Sequence, residues 1–62
     1  MYYYIMQVLG SNVVAHGPYR SRQAAENRFE NVSGGEVHLF RSDSPDSQQA
    51  IQEFKDKEVR RL

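Results

Sequence analysis

The sequence predicts an α+β fold: a two-layer β-β-α-β-α module whose three-stranded, mainly antiparallel sheet carries two helices on one face. Three observations lead there. Two strand-like runs, 2–9 and 13–16, flank a short turn. Apolar residues then fall at Ala25, Phe29 and Val32, the i, i+4, i+7 spacing of one helical face. A third strand-like run and a second helical pattern complete the 62-residue chain.

Residues 2–9 are aromatic and apolar, which favours a pleated strand. Gly10-Ser11-Asn12 is turn chemistry, and 13–16 returns as the second strand of a hairpin. Gly17-Pro18 should end that strand, because proline has no N–H to give to the ladder. Ser21 suits the N-cap of a helix over about 22–32, and Ala24, Ala25 and Glu26 favour helix beyond it. Gly34-Gly35 can adopt the positive φ that stops a helix. The third strand is expected over 36–41. It is free at this stage to pair in parallel beside strand one or to lie beside strand two. The second helix starts either with Ser44 as cap and Pro45 in the first turn or at Asp46 with Gln49 three residues on. It carries Ala50, Ile51 and Phe54 on one face and Glu53–Lys57 as an i,i+4 pair. Continuing that face reaches Glu58 and Leu62, with Val59 to one side and Arg60 and Arg61 suited to the negative helix end.

Strand alternation sorts side chains into two faces. Tyr2, Tyr4, Met6, Val8, Val13 and Ala15 form a uniformly apolar face, expected under both helices with Val37 and Leu39. Ala25, Phe29, Val32, Ile51 and Phe54 should complete the core. The other face would then expose Tyr3, Ile5, Leu9, Val14 and Phe40 beside Gln7, His16, Glu36 and His38. Apolar groups on an outer face point to a contact surface.

Composition narrows the function classes. Eight basic and eight acidic side chains cancel, so bulk charge draws the chain neither to nucleic acid nor to anionic membrane. There is no cysteine, hence no disulfide and no thiolate nucleophile or zinc ligand. No apolar run reaches the roughly 18 residues of a membrane span, and the first residues lack signal-peptide features, so a cytoplasmic location is expected. A chain this short buries only about 60% of its unfolded surface, which favours a tight core or self-association.

No constellation specifies a reaction. No serine sits in a nucleophile elbow, and the carboxylates are spread over helices and loops. His16 and His38, with Glu36, would need to meet on neighbouring strands to hold a metal, and their spacing matches no ligand pattern. No catalytic, cofactor or metal site is predicted. Arg20, Arg22 and Arg28 mark a local basic patch at and along the start of the first helix, whose free N–H groups could receive a phosphate while Tyr19 stacks on a base or sugar.

Residues Tyr2-Tyr3, the Gly17-Pro18-Tyr19-Arg20-Ser21 hinge, Gly35 through Phe40, and Ala50 with Phe54 fall in an order that resembles the hybrid-binding module at the N-terminus of some ribonucleases H. The resemblance covers most of residues 2–54. Arg22 stands where that family has tryptophan, and Glu36-Val37-His38-Leu39 replaces its lysine-rich strand. It implies RNA–DNA hybrid binding with Tyr19, Arg20, Ser21 and Arg22 against a backbone. The Gly17-Pro18-Tyr19, Ser21-Arg22 and Ala25 phrase also resembles the opening of the SPOR peptidoglycan-binding domain. The residues themselves favour a small non-enzymatic interaction module making protein contacts or a homodimer, through the outer sheet face or an edge strand. Weak nucleic-acid binding at the Tyr19–Arg22 hinge is the alternative.

Overall fold

The computed structural model describes residues 1–60, with the backbone alone for 58–60. The expectations for Glu58, Val59, Arg60, Arg61 and Leu62 therefore lie outside the described side chains. The elements run β1 (Tyr2–Leu9), β2 (Asn12–Tyr19), α1 (Arg22–Phe29), β3 (Glu36–Ser42) and α2 (Ser47–Arg60). This is the α+β class and the β-β-α-β-α order expected from the sequence. The sheet is wholly antiparallel, in the order β2-β1-β3.

A two-residue turn, Gly10-Ser11, joins β1 to β2, with Gly10 at φ 63° and Leu9 paired to Asn12. Glycine-first loops of this length suit the strand twist. β2 and β3 are each antiparallel to β1, so they run parallel to one another. Parallel strands need a crossover, and α1 supplies it, passing over β1. Strand three thus lies beside strand one and antiparallel to it, which neither of the expected pairings anticipated.

β2 does not stop at Gly17-Pro18. It continues to Tyr19, because both residues are accommodated opposite Tyr4 in a bulge between the Ile5–His16 and Tyr3–Tyr19 pairs. Proline and a bulge are tolerated here because β2 is an edge strand. Gly17 has φ 129°, and the Gly17–Pro18 peptide is cis. A Cβ on Gly17 would stand 3.0 Å from the Tyr3 carbonyl oxygen.

The layering differs from the two-layer expectation, for the helices cover opposite faces. On one face Tyr4, Met6 and Phe40 pack with Ala50 and Phe54 of α2, flanked by Tyr2, Val8, Val13, Ala15 and Ile51. Phe54 meets the edge of Phe40 with centroids 5.6 Å apart, a favourable aromatic geometry. On the other face Ile5 is fully buried, as is Ala25 of α1. Leu39 there lines a groove with Glu26 and Phe29 of α1 and with Glu30, its C-cap. Because Ile5 pairs with Leu39 and Tyr4 with Phe40, the third strand has the opposite parity to the one expected. Phe40 and His38 join Tyr4 and Met6, whereas Val37 and Leu39 join Ile5. Phe29, Val32, Val37 and Leu39 are half-buried and are not members of the main core.

Local chemistry sets the helix ends. Ser21 Oγ accepts the Ala24 N–H at 3.1 Å, as its N-cap role requires, and α1 ends at Phe29, short of the expected Val32. Of the two starts weighed for α2, Asp46 is the one formed. Its carboxylate accepts the Gln48 N–H at 3.0 Å, and its carbonyl accepts that of Ala50. The Asp46 N–H goes to Ser44 Oγ at 3.1 Å. Glu53 accepts from Ser42, and Lys57 Nζ lies 5.0 Å from the Phe40 ring centre; each side chain of the expected i,i+4 pair is thus used toward β3.

Candidate functional site

The end of the sheet where α1 begins gathers aromatic and basic groups. Tyr3 is central: it pairs with Tyr19 on one side and Arg41 on the other. All three lie on the α1 face. Tyr19 is there because of the bulge, since unbroken alternation from His16 would send it to the α2 face. Arg22, in the first turn of α1, lines one cavity of about 250 Å³ with Tyr3, Leu39 and Arg41. Its guanidinium is 3.7 Å from the Glu26 carboxylate one turn on, an exposed pair of small energetic weight.

Sequence reasoning placed Tyr19, Arg20, Ser21, Arg22 and Arg28 in one basic patch. The structure keeps Tyr19 and Arg22 at this end of the sheet, and Arg20 is exposed on the connection between them. Ser21 is committed to capping. Arg28 does not belong, because it sits in the last turn of α1. Arg41 was missed. Its membership follows from the pairing with Tyr3, which strand order decides.

The expected contact surface of Tyr3, Ile5, Leu9, Val14 and Phe40 is divided. Ile5 is buried beneath α1 and Phe40 beneath α2, so neither is available to a partner. Tyr3 is half-buried, and Leu9 and Val14 are exposed at 42% and 40%. The covering helix is the physical reason: a face with Ile5 at its centre is the seat of α1.

The two sheet edges are unlike. β2 carries Pro18 and the bulge, which interrupt its edge between His16 and Tyr19 and disfavour pairing with another strand there. β3 has neither proline nor glycine and stays in continuous register with β1 from Glu36 to Ser42. Beside it, α1 leaves a groove on either side of Leu39. One end is the arginine-lined cavity, and the other, of about 310 Å³, is lined by Glu26, Phe29, Glu30 and Leu39.

The histidines do not meet. His16 pairs with Ile5 on the α1 face and bonds Gln7 Oε1 at 3.0 Å. His38 pairs with Met6 on the α2 face, 3.5 Å from Glu36 and stacked obliquely on Phe54. Among the described residues no helix is long and apolar enough to cross a membrane. Compared with family models, curated proteins and solved structures, the chain finds no match.

Proposed function

We propose that this chain is a small interaction module, not a catalyst, and that it works by pairing an extended protein segment along β3. The observation that carries this is the contrast between the edges: β2 is closed by Pro18 and its bulge, while β3 offers an unbroken seven-residue edge. An open edge supplies backbone donors and acceptors for strand addition, and side-chain grooves beside it supply specificity. The Leu39 grooves are such features. Peptides selected from a random library on sparsely immobilised protein test the reading. Supporting peptides shift the amide resonances of residues 36–42. Peptides that shift other residues, or no binders at all, overturn it.

A second reading rests on the Tyr19–Tyr3–Arg41 row with Arg22. Aromatic rings flanked by guanidinium groups suit a single strand of nucleic acid, the rings stacking on bases and the arginines taking phosphates. An NMR titration at low salt with a short RNA–DNA hybrid and with a single strand separates the two readings. Shifts at Tyr3, Tyr19, Arg22 and Arg41 that vanish as salt rises favour nucleic acid. The absence of shifts with both probes removes it.

A further inference from the structure

The charged residues that line the groove between α1 and β3 change sign along its length. Arg22 and Arg41 line it on one side of Leu39, and Glu26 and Glu30 line it on the other. Leu39 is the middle residue of β3 and lines both halves. A two-fold axis through Leu39, perpendicular to the sheet, would therefore lay the basic half of one copy against the acidic half of another. We propose that the occupant of the β3 edge is a second copy of this chain, paired antiparallel about Leu39. The proposal rests on β3 being the contact edge and names the partner.

The cross-strand pairs of that arrangement are compatible throughout. Leu39 faces its own copy, His38 faces Phe40, Val37 faces Arg41, and Glu36 faces Ser42. No like charges oppose each other, which would be destabilising across a ladder. Val37 lies at the end of β3 where α1 finishes, since it pairs with Gln7, whose amide holds the Ser33 carbonyl just past the helix. The partner's Arg41 thus arrives beside Val37 and within reach of Glu30. Arg22 already has Glu26 one turn on in its own copy, and Arg41 gains a carboxylate, Glu30, in the pair. The assembly closes by itself. The sheet runs β2-β1-β3-β3-β1-β2, and both outer edges are the proline-bearing β2, so two copies do not grow into a fibre.

Charge exchange tests this. Arg41 and Glu30 are exposed, so Arg41→Glu and Glu30→Arg should each leave the fold intact, as circular dichroism will verify. Light scattering at high micromolar concentration is expected to give the wild type twice its 7.2 kDa chain mass. Each variant alone should be monomeric, because like charges then meet at both ends of the groove. An equimolar mixture should recover the dimer. At one end the new carboxylate of the Arg41→Glu chain meets the new guanidinium of the Glu30→Arg chain. At the other end the unaltered Arg41 meets the unaltered Glu30. A monomeric wild type, folded single variants that still dimerise, or a mixture that stays monomeric overturns the proposal. A monomeric wild type leaves strand addition to be judged by the peptide selection, so the two ideas fail separately.

Discussion

Ile5 of β1 and Ala25 of α1 are both fully buried, yet neither belongs to the cluster around Tyr4 and Phe54. Each face of the sheet therefore buries apolar side chains beneath its own helix, Tyr4 and Met6 under α2 and Ile5 under α1. Ile5→Ala should cost about 2–5 kcal/mol, the range for a buried large-to-small change. Phe29→Ala should cost less, because Phe29 is only half-buried at the groove beside Leu39. Urea denaturation of both variants checks the order. A Phe29→Ala loss exceeding that of Ile5→Ala would place the second core under Phe29 instead.

Tyr4 couples the main core to pH. Its hydroxyl donates to the Ser44 carbonyl at 2.6 Å. Burial, with the negative charges of Asp46 and Glu53 nearby, raises its phenol above the ordinary value of 10.0. Below that value the phenol is neutral in both folded and unfolded chains, and the hydrogen bond is intact. Above it the unfolded chain gives up the proton first, so stability falls as pH rises through the raised folded value. Tyr4→Phe should lose about 0.5–1.5 kcal/mol at neutral pH and flatten the decline above pH ~10. Thermal melts of both proteins from pH 7 to 11 will show whether the alkaline decline follows Tyr4.

What was legible in the sequence was local. Ser21 as a cap needs only the residues that follow it, and the Gly10 turn needs only its flanking strands. The side on which each helix lies is not local. β1 alternates two apolar sets, Tyr2-Tyr4-Met6-Val8 and Tyr3-Ile5-Leu9, and apolar groups on both faces are the mark of a central strand covered twice. Reading the second set as an exposed surface assumed that both helices share a face. The parity of β3 depends on which residue meets Ile5, and nothing within 36–42 declares it. The same register brings Arg41 to Tyr3, so that part of the candidate site was hidden with it. The bulge was half visible: Gly17-Pro18 announced an irregularity, and the turning of Tyr19 toward Tyr3 is a consequence of pairing.

Gly10 and Gly35 offer a controlled comparison. Both have positive φ, 63° and 65°, so an added side chain is strained at either position. Their surroundings differ. A Cβ on Gly10 meets nothing within 4 Å, whereas one on Gly35 runs into the Val8 carbonyl oxygen and sits 3.1 Å from the Leu9 side chain. Gly10→Ala should cost roughly 1–3 kcal/mol. Gly35→Ala should cost more, because the entry to β3 must move away from β1. Equal losses in melting experiments would mean that the approach of Gly35 to Val8 is easily relaxed.

The junction from β3 to α2 is tied by a chain of short-range bonds whose members are not equivalent. Ser42 Oγ donates to Glu53 at 3.0 Å and accepts the Ser44 N–H at 3.1 Å. Ser44 Oγ in turn accepts from Asp46, and Asp46 from Gln48. Ser42 is the buried member, at 4% exposure, and its hydroxyl reaches the body of α2. Ser42→Ala strands the Ser44 N–H and a Glu53 oxygen in a partly enclosed site, and should cost about 1–3 kcal/mol. Ser44→Ala frees only the exposed Asp46 N–H, which water can satisfy, and should cost under about 0.5 kcal/mol. Asp46→Ala removes the helix cap and should fall between them, about 1 kcal/mol. Denaturation midpoints in that order would support the chain as drawn. A Ser44→Ala loss as large as that of Ser42→Ala would show that the junction is held through its exposed turn and not through Glu53.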